Sequence, residues 1–303
     1  MPSMKFILLG LVGVALVTLP CLLPAQTVRP FVSFSDQGNE YPESIARDQQ
    51  GNLYLSLTFG QRLKKITPAG VVSDFAVIND DWLLGVTVDA RGNVMVAGTN
   101  GVWKVTPAGV VTLFAEVPGH LSLNDLTYDQ KGNLYVTDDT LGVIWKVDSG
   151  GNATVWCSDV RLGPTNPSFP FPVGCNGIAF SHDRKKLLTT NTSDGFLLAV
   201  DVLANGTAGT VRVIASSPRL IGADGIKVDA ADNVYVAQNI NRQILRVNPC
   251  GEITTVVQGG LLSFPTSLVF GSNSNTLFIC NNGDAFFSDK PSGQGVLRLV
   301  LRP

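Results

Sequence analysis

One phrase recurs along the chain and constrains its fold more than any other feature. An apolar run ends in aspartate, a turn follows, and Gly-Asn opens a second apolar run. Ser44-Ile-Ala-Arg-Asp48 stands before Gly51-Asn52, Gly85-Val-Thr-Val-Asp89 before Gly92-Asn93, and Asp125-Leu-Thr-Tyr-Asp129 before Gly132-Asn133. A fourth copy, Gly225-Ile-Lys-Val-Asp229, stands before Asp232-Asn233. Two looser copies are Gly177-Ile-Ala-Phe-Ser181 before Leu187-Leu188, and Ser267-Leu-Val-Phe-Gly271 before Thr276. Each copy runs on into a third apolar run, such as residues 63–66, 102–105, 143–147 or 244–247. A glycine turn then leads to a fourth, at 71–76, 110–115, 153–157 or 253–257. The runs are short, β-branched and aromatic, and bounded by Gly and Asn, which is strand chemistry. No segment carries sustained helical periodicity.

Six units of about 46 residues, each of four strands, predict an all-β, six-bladed β-propeller. The last unit lacks a fourth strand, and residues 30–34 resemble the fourth strands elsewhere. They are expected to close the last blade against residues 295–301, which removes two exposed sheet edges.

The first 26 residues stand outside the repeat. Lys5 follows the initiating methionine closely, residues 6–19 are apolar and uncharged, and Leu23-Pro24-Ala25 precedes Gln26 like a cleavage site. The apolar run is shorter than the roughly 20 residues of a spanning helix. Residues 1–26 therefore read as a signal peptide and 27–303 as a single propeller domain. The mature protein is expected to be a secreted or periplasmic monomer, free of the membrane after cleavage. A formal charge of −2 lacks the basic excess with which nucleic-acid binders neutralise phosphate. The two histidines, His120 and His182, lie far apart, which excludes a histidine-rich metal site.

The repeat register points to a site. The residue five before the end of each first strand is Glu43, Leu84, Asn124, Asn176, Asp224 and Thr266 in turn. First strands line a propeller's central channel, so one register position forms a ring around the axis. Two carboxylates and two amides at one depth suit a hard divalent cation: calcium first, then magnesium or manganese, with zinc as a further candidate. Polar side chains inside a channel are costly unless paired or coordinating.

The phrases Pro42-Glu43, Leu123-Asn124-Asp125, Cys175-Asn176-Gly177-Ile178, Ala223-Asp224-Gly225 and Pro265-Thr266-Ser267 resemble the regucalcin/gluconolactonase/luciferin-regenerating-enzyme (senescence marker protein) family of six-bladed propellers. The resemblance covers about residues 42–300. It implies that Glu43, Asn176 and Asp224 hold a catalytic divalent metal, with Asn124 as ligand or substrate contact. Ser122 stands where sugar-lactonase members often carry arginine, which weakens the case for a sugar-acid lactone.

The expected activity is metal-dependent hydrolysis of a small lactone or ester. Asp224 would serve as base or nucleophile, Asn124 would orient substrate, and His120 would shuttle protons. The alternative is a non-catalytic binding propeller, or a pseudoenzyme that binds calcium. The proline-rich insertion 158–174 is expected over the channel mouth as a substrate-shaping lid. Cys157 and Cys175 flank that insertion on one face and are expected to form a disulfide, whereas Cys250 and Cys280 fall on opposite faces.

Overall fold

A computed structural model describes residues 26–35, 39–80, 82–283 and 292–301. Residues 1–25 of the expected signal peptide lie outside them. The first strand, β1 (Val28–Ser33), belongs to the last blade. Blade 1 comprises β2 (Pro42–Arg47), β3 (Leu53–Leu57), β4 (Arg62–Ile66) and β5 (Val72–Val77). Blade 2 comprises β6 (Leu83–Val88), β7 (Val94–Gly98), β8 (Gly101–Val105) and β9 (Val111–Ala115). Blade 3 follows with β10 (Leu123–Tyr128), β11 (Leu134–Asp138), β12 (Val143–Val147) and β13 (Ala153–Ser158). Blade 4 is β14 (Cys175–Phe180), β15 (Lys186–Asn191), β16 (Phe196–Val202) and β17 (Ala208–Ser216). Blade 5 is β18 (Ala223–Val228), β19 (Val234–Gln238), β20 (Gln243–Val247) and β21 (Ile253–Gln258). Blade 6 takes β22 (Pro265–Phe270), β23 (Thr276–Asn281) and β24 (Gly295–Val300), and β1 completes it as the fourth strand.

Every sheet is antiparallel, and the first five are simple meanders. The first strands pack on one another in a closed ring, β2 on β6 through to β22 on β2. The fold is the six-bladed β-propeller that the repeat predicts. Its closure is also as expected, with small differences in extent: β1 starts at Val28, pairs Val28 with Leu299 and Ser33 with Gly295, and bulges between Pro30 and Val32. The Phe31 ring packs on Phe278 at 4.9 Å between centroids.

The recurring phrase has a local cause. In each strict copy one aspartate carboxylate accepts from both the backbone and the side chain of the asparagine four residues on. The Asp48 pair with Asn52 measures 2.8 Å for both bonds, and Asp89–Asn93, Asp129–Asn133 and Asp229–Asn233 repeat it. The residue before the asparagine must turn to positive φ, at +90° for Gly51 and +60° for Asp232. Glycine takes that conformation freely, and aspartate is among the few side chains that tolerate it.

Burial explains why six units are needed. The six apolar clusters each lie between two adjacent sheets. One joins Leu55 and Ile66 of blade 1 to Cys280 and Val296 of blade 6, across the closure. No blade buries its faces without both neighbours.

The expected Cys157–Cys175 disulfide does not form: both thiols are free and buried. Cys175 Sγ instead donates to the carbonyls of Asp138 and Val143, at 3.4 Å each. Both side chains join one apolar cluster with Ile144 and Leu162. Burial pushes the Cys157 thiol up to about 11 and the Cys175 thiol well above its usual range.

Candidate metal centre

Every first strand breaks register with its second strand at the ring position. The pairing skips from Leu83 to Val86, Leu123 to Leu126, Cys175 to Ile178 and Ala223 to Ile226, and blade 1 skips from Pro42 to Ile45. A bulge leaves residues unpaired and re-aims their side chains. The bulged residues are Glu43, Leu84, Asn124, Asn176 and Asp224, each with its successor. The residue after the ring position is small in most blades, because the first strands approach closely there. A Cβ on Gly177 would lie 2.3 Å from Asp224 O, and one on Gly85 would lie 2.5 Å from Asn124 O.

The structure brings Glu43, Asn124, Asn176, Asp224 and Thr266 together around one channel. Thr266 Oγ1 donates to Glu43 O at 2.6 Å, which ties the last blade to the first at ring level. Among the described residues no three His, Cys, Asp or Glu side chains form a metal cluster; two carboxylates and two amides make up this set.

A second ring stands behind the first, and the sequence reading missed it. The residues just past the second strands are Thr58, Thr99, Asp139, Thr192, Asn239 and Asn282. Each donates its backbone N–H to the carbonyl two residues before the ring position of its own blade, at 2.9 to 3.3 Å. Four of their side chains hold ring residues. Asp139 Oδ2 accepts from Asn124 Nδ2 at 2.7 Å. Asn239 Nδ2 donates to Asp224 Oδ2 at 3.2 Å. Thr58 and Asn282 each donate to Glu43 Oε2 at 3.4 Å. All six are polar, and the same register count that found the first ring would have exposed them.

Burial raises Glu43 to about 8, with Asp125 and Asp139 adding to the effect. It raises Asp224 well above the carboxylate range, with the charge of Glu43 adding to it. Asp139 is pushed up to about 6, burial outweighing the hydrogen bonds from Asn124, Ser122 and Thr140. Asn176 Oδ1 is buried without a hydrogen-bond partner, as is Asn239 Oδ1. An orphan carbonyl oxygen next to two desolvated carboxylates is a costly arrangement for the protein alone. A hard cation satisfies all three groups at once, so the residues present fit such an ion.

Above the ring the channel opens into a pocket of about 260 Å³. Glu43, Asn124, Asn176 and Asp224 contribute to its floor, and Asp139 and Asn239 line it as well. Phe169, Phe171, Pro172 and Val173 of the insertion also line it, which puts the insertion at the mouth as expected. His120 is not among the lining residues, contrary to the expected proton-shuttle role. Its Nδ1 lies 2.5 Å from Val117 O and its Nε2 2.8 Å from Thr99 O, so the ring faces backbone carbonyls and not the channel. His182 is exposed on a turn.

Residues 73–282 match the family described as SMP-30/Gluconolactonase/LRE-like region. Lactonase drp35 of Staphylococcus saprophyticus is 27% identical over 280 residues, spanning 86% of this chain and 84% of the relative. A 6-deoxy-6-sulfogluconolactonase of Pseudomonas putida is 25% identical over 257 residues, 80% of this chain and 82% of the relative. A solved gluconolactonase from Xanthomonas campestris superposes with a TM-score of 0.71 at 18% identity, covering 91% of this chain and 90% of that one. Regucalcin from Agrobacterium tumefaciens, described as a calcium-binding protein, gives 0.70 at 17%, covering 91% and 94%.

Proposed function

Because the chain belongs to the SMP-30/gluconolactonase/LRE-like family, we propose that it is a lactonase-type hydrolase that depends on a divalent cation, calcium first. The observation that carries the metal is the unpartnered Asn176 Oδ1, in one ring with the desolvated carboxylates Glu43 and Asp224. Glu43, Asn176 and Asp224 would hold the ion, with Asn124 as the fourth oxygen donor. Bound there, a divalent cation would polarise the substrate carbonyl and favour negative charge on its oxygen.

The protein's own groups carry the proton. Asp224, held by Asn239, takes a proton from water as the water oxygen bonds to the acyl carbon. The acyl C–O bond then breaks, and the departing oxygen receives that proton. A lactone plus one water thus becomes one hydroxy acid. Asn124 orients the substrate oxygen, and Asp139 positions Asn124. A substrate seated against the apolar mouth would displace water from above the floor, which strengthens the electrostatics there.

The sequence of residues 1–26 supports export, and we read the mature protein as a secreted or periplasmic monomer. A panel of lactones and esters, assayed with calcium, with chelator and after calcium is restored, tests the activity. We expect turnover that chelator abolishes, calcium restores and Asp224→Ala removes. Turnover indifferent to chelator would overturn the metal requirement. Calcium binding without turnover of any substrate would instead favour the calcium-binding alternative.

A further inference from the structure

The pocket changes character with height. Its floor is the polar ring, whereas the wall above is built from Trp82, Phe169, Phe171, Pro172, Ile240 and Phe264. These come from four separate loops: the one before β6, the insertion, the turn after β19 and the loop before β22. The wall is braced. Trp82 stands edge-on to Phe59 at 5.5 Å, and Phe59 meets Tyr41 in turn. The insertion is pinned to blade 4: Ser193 Oγ donates to Val173 O at 2.6 Å, and Asn166 Nδ2 donates to Ser193 O at 2.8 Å. Thr165 adds a hydroxyl bond to Asp194 at 2.8 Å.

The polar groups that reach this wall spend their donors on the protein. Thr140 Oγ1 donates to Asp139 at 3.0 Å, Thr192 Oγ1 to Ala223 O at 2.7 Å, and Ser122 to Asp139. The acceptors open to a polyol's hydroxyls, Asn239 Oδ1 among them, belong to the ring level, and hydroxyls held against the wall above would give up water and meet few free donors in return. An apolar group loses nothing there and covers Trp82, Phe171 and Ile240, which are 46%, 49% and 46% exposed.

We propose that the site selects a lactone or ester bearing an apolar substituent, a ring or short alkyl chain, over a polyhydroxylated sugar lactone. The acyl group sits at the floor and the substituent lies against the collar. The chemistry of this proposal rests on the hydrolase reading; the binding preference does not. The pocket volume, about 260 Å³, falls below the roughly 300 Å³ at which drug-sized ligand sites begin, which keeps the substituent short.

Two measurements on the calcium-loaded protein test it. The first is kcat/KM for γ-butyrolactone, γ-octalactone and D-glucono-δ-lactone. The second is the calorimetric affinity of 2-pyrrolidinone and its 5-butyl derivative, lactams that mimic the first two substrates without being hydrolysed. Each methylene should add about fourfold, so γ-octalactone should exceed γ-butyrolactone by on the order of 100-fold and gluconolactone should be worst. Phe171→Ser and Ile240→Ser, each at an exposed position, should cut the octalactone-to-butyrolactone ratio about tenfold with the melting curve unchanged. Preference for gluconolactone, or a ratio near one, overturns the proposal and leaves the hydrolase reading standing. If no lactone turns over, the lactonase reading fails and the lactams decide. Affinity that rises with the butyl chain supports the apolar site, and equal or absent binding refutes it.

Discussion

Asn124 donates from Nδ2 to Asp139 Oδ2 at 2.7 Å. That bond uses the amide nitrogen and leaves Oδ1 as the group Asn124 can offer to a cation or substrate. Asp139 comes from the turn after β11 and Asn124 from the bulge in β10, so one blade supplies both the ligand and its brace. In blade 5 Asn239, just past β19, likewise braces Asp224 of β18, but here the brace is the donor.

The brace is testable first. Asp139→Ala should leave the fold intact and lower calcium affinity and kcat/KM by about 10- to 100-fold, the usual cost of losing a group that orients a ligand. Titration calorimetry and steady-state kinetics on one preparation check it. Unchanged values for both would show that Asn124 needs no brace.

Ring carboxylates trade stability for function. Folding forces the desolvated Glu43 carboxyl to take up a proton near neutral pH, so replacing it by a neutral amide should stabilise the calcium-free protein. Glu43→Gln should therefore raise the melting temperature in chelator and abolish the upward shift that calcium gives the wild type. A calcium-induced shift equal to that of the wild type would remove Glu43 from the binding site.

The same carboxylates set a pH dependence. Glu43 is raised from 4.5 to about 8, so between those values the folded, calcium-free protein holds a proton that the unfolded chain has lost. Their contribution to stability is complete below about pH 4.5 and disappears as pH rises through 8. Denaturant melts in chelator should show stability falling across this window, and saturating calcium should flatten the trend. Stability that rises with pH in chelator would contradict the burial of the ring.

Closure of the ring by β1 predicts a sharp cost for truncation. Deleting residues 27–36 removes the strand paired with β24 and the Phe31 contact with Phe278, and exposes an edge. The melting temperature should fall by on the order of 10 °C. A melting curve matching the intact protein would show that the last blade is stable with three strands.

Thiol chemistry separates the two readings of the cysteines. Cys250 is exposed, while Cys157, Cys175 and Cys280 are free and buried. Of these four, a thiol reagent should label Cys250 alone in the native protein and all four after unfolding without reductant. Recovery of a Cys157–Cys175 peptide by non-reducing mapping would restore the disulfide.

Blade number, strand order, ring closure and the membership of the first ring were all legible in the sequence, because they rest on local signals. Alternating strands, the Asp–Asn turn and a glycine at positive φ repeat on a fixed period, and counting along that period finds Glu43, Asn124, Asn176 and Asp224 without coordinates. What the tertiary structure alone decided concerns side-chain direction and contacts across the chain. Counting places Cys157 and Cys175 on one face, yet Cys175 bonds to the carbonyls of Asp138 and Val143. It places His120 close to Asn124, yet the ring of His120 faces the carbonyls of Val117 and Thr99. The bulges that leave ring residues unpaired, the bond from Thr266 to Glu43 across 223 positions, and the apolar collar from four loops appear only when the blades close. A period along the chain fixes which residues share a level; the packing of six sheets around an axis decides which way each side chain points and what it touches.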